Sequence, residues 1–191
     1  MQKMALIQRL QQHLQFNPYP SMADAAVLIA ISQEDEPQII LTRRASHLHT
    51  HAGEVSLPGG KREVGDDDDS SVALREAQEE IGLTAQQVTL LGELPMQQSK
   101  HGLSVKPIVG LVPADVALFA QPDEIERIFK VKLHDVMYQE ITPYQITYAN
   151  QQIRVPSLIL ENEIIWGLTA KILVSLMQHG LQHHRAWPLV L

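Results

Sequence analysis

The stretch LREAQEEIGL, residues 74–83, places Glu76, Glu79 and Glu80 within five residues beside one arginine, Arg75. Val72, Leu74, Ala77 and Ile81 recur at helical spacing, so the segment from about 70 to 81 reads as a short amphipathic helix. Spacings of three and four put Glu79 and Glu80 one turn beyond Glu76, so all three carboxylates are expected in one neighbourhood. A solvated helix face is the ordinary reading of such a pattern. Two costs stand against it. Like charges at i, i+4 destabilise a helix by roughly 0.2–0.5 kcal/mol per pair. Carboxylates near a helix C-terminus oppose the macrodipole at roughly 0.3–1 kcal/mol each. Gly82 marks that C-terminus, and an Arg75–Glu79 pair offsets only part of the cost. A hard divalent cation such as Mg²⁺ or Mn²⁺, which prefers oxygen ligands, would account for the crowding.

The aspartates just upstream need no such reason. In DDDDSS, Asp66–Asp69 precede the helix, where an Asp or Ser caps the free N–H groups and acids suit the dipole. Before them lies LPGGKREVG, in which Gly59 and Gly60 permit unusual backbone angles or a close approach. Neither GxxxxGK[ST] nor GxGxxG occurs, so a phosphate-cradling P-loop and a dinucleotide fingerprint are excluded.

The chain has 191 residues, 45% hydrophobic and 19% charged, which fits one globular domain spanning 1–191. Its net charge of −7 argues against a nucleic-acid groove. With no cysteine, disulfides, thiolate metal sites and a cysteine nucleophile are absent, a composition that suits the cytoplasm. No apolar run approaches the ~20 residues that span a bilayer. Residues 2–15 read as an amphipathic helix rather than a signal peptide, and this helix could cap the core or pair with a second subunit. AAVLIAIS (25–32) and QIILTRR (38–44) read as strands around the acidic turn QEDEP, and 45–71 as mostly loop. Further strands are expected at 88–94, 103–113 and 125–133, a hairpin at 139–160 with Asn150 near its turn, and a closing helix at 165–181. Strands mixed with three helices make an α/β layered domain.

The C-terminal half of the acidic motif resembles the signature of the Nudix hydrolases, Gly-x5-Glu-x7-Arg-Glu-apolar-x-Glu-Glu-x-Gly-apolar. Arg75, Glu76, Ala77, Glu79, Glu80, Gly82 and Leu83 all match. The first half departs: fourteen residues separate Gly60 from Arg75 where the signature has thirteen, and the position eight before Arg75 is Asp67. The extra residue is expected in the aspartate-rich loop. The upstream stretch ILTRRASHLHTHAGEVSLPGG (40–60) is similar to the LLTxR[SA]xxxRxxxGxxxFPGG motif of Nudix enzymes of the coenzyme A pyrophosphatase type. Leu41, Thr42, Arg44, Ala45, Gly53, Pro58, Gly59 and Gly60 match, whereas His49 stands for the second Arg and Leu57 for Phe. The resemblance runs from about residue 25 to about 175.

The resemblance implies the Nudix fold, a mixed β-sheet sandwiched between α-helices, with the signature at about 59–83 forming loop, helix and loop. It implies hydrolysis, dependent on Mg²⁺ or Mn²⁺, of the diphosphate of coenzyme A or a derivative. The products would be adenosine 3′,5′-bisphosphate and 4′-phosphopantetheine. Two alternatives stay open: another nucleoside diphosphate derivative, such as a dinucleotide cofactor or nucleotide sugar, and a non-catalytic nucleotide-binding module. Glu76 and Glu80 are the expected metal ligands, with Glu79 third. Glu79 or Glu124, from PDEIERIF, would activate the water, and Arg75 would orient a glutamate. Gly59 and Gly60 would shape the loop; the basic residues Arg43, Arg44 and Lys61 would suit substrate phosphates, Arg44 first because it matches the motif, and a protonated His49 would join them. The alternating His47, His49 and His51 could instead bind a transition metal.

Overall fold

The computed structural model describes residues 2–19, 22–148, 151–184 and 186–188. Helix α1 (Gln2–His13) precedes the strands β1 (Ala25–Ser32) and β2 (Gln38–Arg44). The short strands β3 (Val55–Ser56) and β4 (Gly59–Lys61) lead into α2 (Asp69–Ile81). Then come β5 (Thr89–Glu93), β6 (Gln97–Gln98), β7 (Ser104–Val112), β8 (Ile125–Lys132) and α3 (Leu133–Tyr138). Strands β9 (Thr142–Tyr148), β10 (Gln151–Leu160) and β11 (Glu163–Trp166) are followed by α4 (Gly167–Ser175), which a π-helical turn (Leu176–Gly180) extends.

An eight-stranded sheet is organised around β1, in the order β3-β2-β1-β7-β5 with β4 on β1, β6 on β7 and β8 on β2. β1 runs parallel to β7 along its whole length, from Ala25 opposite Val105 to Ser32 opposite Val112. Its other edge is divided. The end of β1 pairs antiparallel with β2, and its start pairs antiparallel with β4, with Ala26 opposite Gly60 and Val27 opposite Gly59. That division brings the glycine pair beside α2.

The continuous apolar run of β1 follows from burial on both faces. Ala26, Leu28 and Ala30 pack with Val72, Ala73, Ala77 and Ile81 of α2. Small residues on both elements let the helix lie close to the sheet. On the other face Ile29 and Ile31 join Leu10 and Leu14, Ile172 and Leu173, and residues of a three-stranded sheet ordered β11-β10-β9. The expected mixed sheet between helices is therefore present, with this second sheet added to one side.

Several boundaries differ from the sequence expectation. Residues 45–71 contain β3 and β4, which exist because β2 and β1 each leave a stretch of edge unpaired. The strand expected to reach 133 passes at Leu133 into α3, so the described chain has four α-helices rather than three. The closing helix begins at Gly167, because Glu163–Trp166 pairs as β11 with β10. The hairpin of β9 and β10 forms as expected. Its turn at Asn150 lies outside the described residues. Among the described residues no helix is long and apolar enough to cross a membrane.

Candidate active site

Both ends of α2 are fixed by its sequence. Asp68 is the N-cap: its carboxylate accepts the Ser71 N–H at 2.7 Å, and Ser71 Oγ accepts the Asp68 N–H at 3.0 Å. Gly82 ends the helix at φ 69, and its N–H donates to the Gln78 carbonyl at 3.0 Å.

The other aspartates are not simply caps or solvated charges. Asp69 is buried, is paired with Arg62 and accepts the Ala23 N–H at 2.9 Å. Asp66 accepts hydrogen bonds from Arg75 Nε and Nη2, both at 3.1 Å. The guanidinium holds the Asp66 carboxyl below its usual range. Counted forward from Gly60, Asp66 occupies the acidic position of the signature, so the extra residue falls after it, at the helix cap. Counting backward from Arg75 selects Asp67 instead, which is how sequence reasoning missed the pair.

The three glutamates differ in exposure and in partners. Glu80 is 3% exposed; its carboxylate accepts the Gly59 N–H at 3.2 Å and lies 3.5 Å from Arg44 Nη1. Burial pushes its carboxyl up to about 7, with the Glu76 and Glu124 charges adding to the effect. Glu76 is half-buried and accepts from Arg75 Nη1 at 3.1 Å. Burial raises its carboxyl too, against the pull of Arg75 and with the repulsion of Glu79 and Glu124. Glu79 faces outward, 58% exposed, and pairs with Arg75 at 3.1 Å. Exposure, not neighbourhood, divides them: β4 lies along one flank of α2, Glu76 and Glu80 turn toward it, and Glu79 stands on the open side while sharing Arg75 Nη1 with Glu76.

The glycines matter through close approach. A Cβ on Gly60 would fall on the Glu76 carboxylate, and one on Gly59 would fall on the Ala26 carbonyl and Val27 Cα. Arg75, by bonding Asp66, Glu76, Glu79 and the Lys61 carbonyl, ties the loop to the helix.

Not every expected residue joins this group. Arg44 does, while Arg43 points to the opposite face of β2 and pairs with Glu163 at 2.9 Å and with Glu126 at 3.6 Å. The Lys61 side chain is exposed. His49 is exposed, without a hydrogen bond to another described residue, although its neighbour His47 bonds the Asp123 carbonyl at 3.2 Å. Glu124 is exposed, yet its charge reaches Glu76 and Glu80, and its carbonyl accepts the Ala45 N–H at 2.8 Å. Sequence reasoning also missed the segment leading to Glu124, which crosses the end of α2. There the Phe119 and Gln121 N–H groups bond the Ile81 and Glu80 carbonyls at 3.0 and 2.9 Å.

Among the described residues, no three His, Cys, Asp or Glu side chains are already drawn together around a point where an ion would sit. This applies to the histidines, where His51 bonds Glu54 at 2.8 Å, as well as to the glutamates. The chemistry of Glu76 and Glu80 nevertheless fits a divalent, oxygen-seeking cation. Burial raises both carboxyls and the Glu76 charge adds to the rise at Glu80, so positive charge beside them would relieve that cost.

Comparison with known proteins bears on what this group does. The family model of the NUDIX domain matches residues 22–148. Curated relatives named uncharacterized Nudix hydrolase NudL, from Yersinia pestis (strain Pestoides F) and from Yersinia pseudotuberculosis serotype O:1b (strain IP 31758), are each 42% identical over 157 residues. The aligned stretch covers 81% of this chain and 78% of each relative. Among solved structures, the C. elegans Ap4A hydrolase binary complex superposes with a TM-score of 0.51 at 20% identity, covering 59% of this chain and 83% of that one. A MutT/nudix family protein from Enterococcus faecalis gives 0.53 at 13% identity, over 93% of this chain and 69% of the other. Both structural likenesses are of fold.

Proposed function

The chain belongs to the NUDIX family, hydrolases of phosphoanhydride bonds in nucleoside diphosphate derivatives, and from that premise we propose that its substrate is coenzyme A or a coenzyme A derivative. The supporting observation is the convergence of the upstream motif on one carboxylate. Arg44, near the start of that motif, lies 3.5 Å from Glu80, and Gly59, at its end, donates to Glu80 at 3.2 Å. A motif interrupted by loop residues thus frames the buried acid from two sides.

Glu76 and Glu80 would hold a divalent cation, Mg²⁺ or Mn²⁺. Such a cation, when bound, neutralises charge on the diphosphate oxygens and acidifies water. The rest is done by the chain. Arg75 positions Glu76 and the loop, and Gly59 and Gly60 keep the backbone out of the carboxylates' way. Arg44 meets the phosphate oxygens, with its fork of donors matched to them. Glu124, whose carboxylate is exposed beside the buried pair, accepts the proton of the attacking water. The water oxygen bonds to one phosphorus, the bridging P–O bond breaks, and the electron pair leaves on the other phosphate. The work is mainly positioning and charge neutralisation. Coenzyme A gives adenosine 3′,5′-bisphosphate and 4′-phosphopantetheine.

The test is incubation of purified protein with Mg²⁺ or Mn²⁺ and, separately, coenzyme A, NADH and ADP-ribose, with products identified by mass. Adenosine 3′,5′-bisphosphate appearing fastest from coenzyme A is expected. Faster cleavage of NADH or ADP-ribose would assign the enzyme to another nucleoside diphosphate derivative. Ligand binding without product after prolonged incubation with Mn²⁺ would leave only a binding module.

A further inference from the structure

Adjacent arginines on β2 are held in opposite ways. Arg43 is engaged on its own face of the sheet, by Glu163 at 2.9 Å and Glu126 at 3.6 Å. Arg44 is fixed at its root: its N–H donates to the Glu54 carbonyl at 3.0 Å, and its carbonyl accepts the Gly53 N–H at 3.1 Å. Its head is loose by comparison. The guanidinium lies 3.5 Å from the Glu80 carboxylate, outside ordinary hydrogen-bond length, and makes no other ion pair among the described residues. Glu80 is 3% exposed, so water does little to screen the carboxylate. The carboxylate therefore has a resident positive neighbour that is close in charge and weakly committed in geometry.

We propose that Arg44 is the counter-charge of Glu80 in the cation-free protein, and that it exchanges that role for a substrate phosphate when a divalent cation is taken up. The inference rests on the reading of Glu80 as a cation ligand. Guanidinium and metal ion carry charge of the same sign and draw on the same carboxylate, so each weakens the other's hold there. An arriving diphosphate offers the displaced guanidinium a better partner, because anionic phosphate oxygens suit its paired donors. Arg44 would then oppose cation uptake before substrate binds and favour the substrate afterwards, coupling the two events in order.

The experiment is substrate-free Mn²⁺ titration by calorimetry on the full chain, in wild type, Arg44→Met and Arg44→Lys, with far-UV circular dichroism to confirm folding. Arg44→Met keeps side-chain length and removes the charge; Arg44→Gln serves if it folds poorly. Arg44→Met is expected to bind Mn²⁺ at least about threefold more tightly than wild type, and Arg44→Lys within about twofold of it. With coenzyme A as substrate, KM of Arg44→Met is expected to rise about tenfold, with a smaller change in kcat. A purely structural role for Arg44 would not tighten Mn²⁺ binding. Unchanged or weaker Mn²⁺ affinity in Arg44→Met overturns the exchange. Glu80→Gln separates the two failures. If Glu80→Gln binds Mn²⁺ as wild type does, the ligand reading itself has failed and the exchange falls with it. If Glu80→Gln weakens binding while Arg44→Met does not strengthen it, the ligand reading stands and only the exchange is lost.

Discussion

At the start of α2, Asp66 and Asp69 each face a guanidinium, and Asp68 caps the helix. Further along the same helix, Glu76 and Glu80 are turned inward with less opposite charge than they need. The environment has moved the two groups in opposite directions: Arg75 lowers the Asp66 carboxyl, while burial raises those of Glu76 and Glu80. The comparison separates acids that hold a loop in place from acids kept available to something outside the chain. A carboxylate with its partners supplied locally stabilises the fold. One that is buried without them costs stability, and that cost is what a bound cation can reverse.

The largest effect expected is on Glu80. Glu80→Gln should lower turnover at saturating Mg²⁺ by about two orders of magnitude. Retention of more than about a tenth of wild-type turnover would remove Glu80 from the proposed ligands. The same substitution should stabilise the metal-free protein. The Glu80 carboxyl rises from 4.5 to about 7 on folding, so its contribution to stability is full below pH 4.5 and is lost as the pH climbs through about 7. Urea unfolding without metal should therefore show Glu80→Gln more stable by roughly 1–3 kcal/mol at pH 8, with no gain near pH 4.

Asp69→Ala should do the reverse. It strands Arg62 and the Ala23 N–H, so a loss of about 3 kcal/mol is expected in the same unfolding assay. Turnover per folded molecule should change little. Asp66→Asn should be milder, at about 1–2 kcal/mol. Because the Asp66 carboxyl is lowered from 3.8, its contribution is present above that pH and lost as the pH falls through its folded value. The gap between wild type and Asp66→Asn should accordingly close on acidification. Glu79→Gln should have the smallest effect. Its carboxylate is 58% exposed and its ion pair with Arg75 is a surface one, worth about 0.5 kcal/mol or less. A loss of turnover as large as that of Glu80→Gln would place Glu79 in the inner group and blur the distinction drawn along the helix.

Much of this was legible in the sequence where local rules decide. The apolar spacing of α2, its capping acids and Gly82 placed the helix to within a residue, and the apolar run AAVLIAIS gave β1 as a strand, though not its place at the centre of the sheet. β3 and β4 were not legible. Pro-Gly-Gly reads as a turn, and Gly59–Lys61 is a strand only because β1 leaves its first residues unpaired on that edge. Glu79 and Glu80 could not be told apart either. Successive helical residues point about 100° apart, so either could have faced inward until the position of β4 was known. Arg43 and Arg44 posed the same problem on a strand, where alternation separates them but does not say which face carries the acids. Asp66 was recoverable by counting forward from Gly60, whereas the Gln121 bond that closes the end of α2 depends on a fold-back of about forty residues and leaves no local trace.

The separation of acids along α2 is tested most directly by Mn²⁺ titration of the substrate-free protein at pH 8, comparing wild type, Glu80→Gln and Asp68→Asn. Asparagine retains the cap, so Asp68→Asn should bind Mn²⁺ as wild type does. Glu80→Gln should weaken binding by at least about tenfold. Equal affinity in Glu80→Gln and wild type, or a loss confined to Asp68→Asn, would contradict the account.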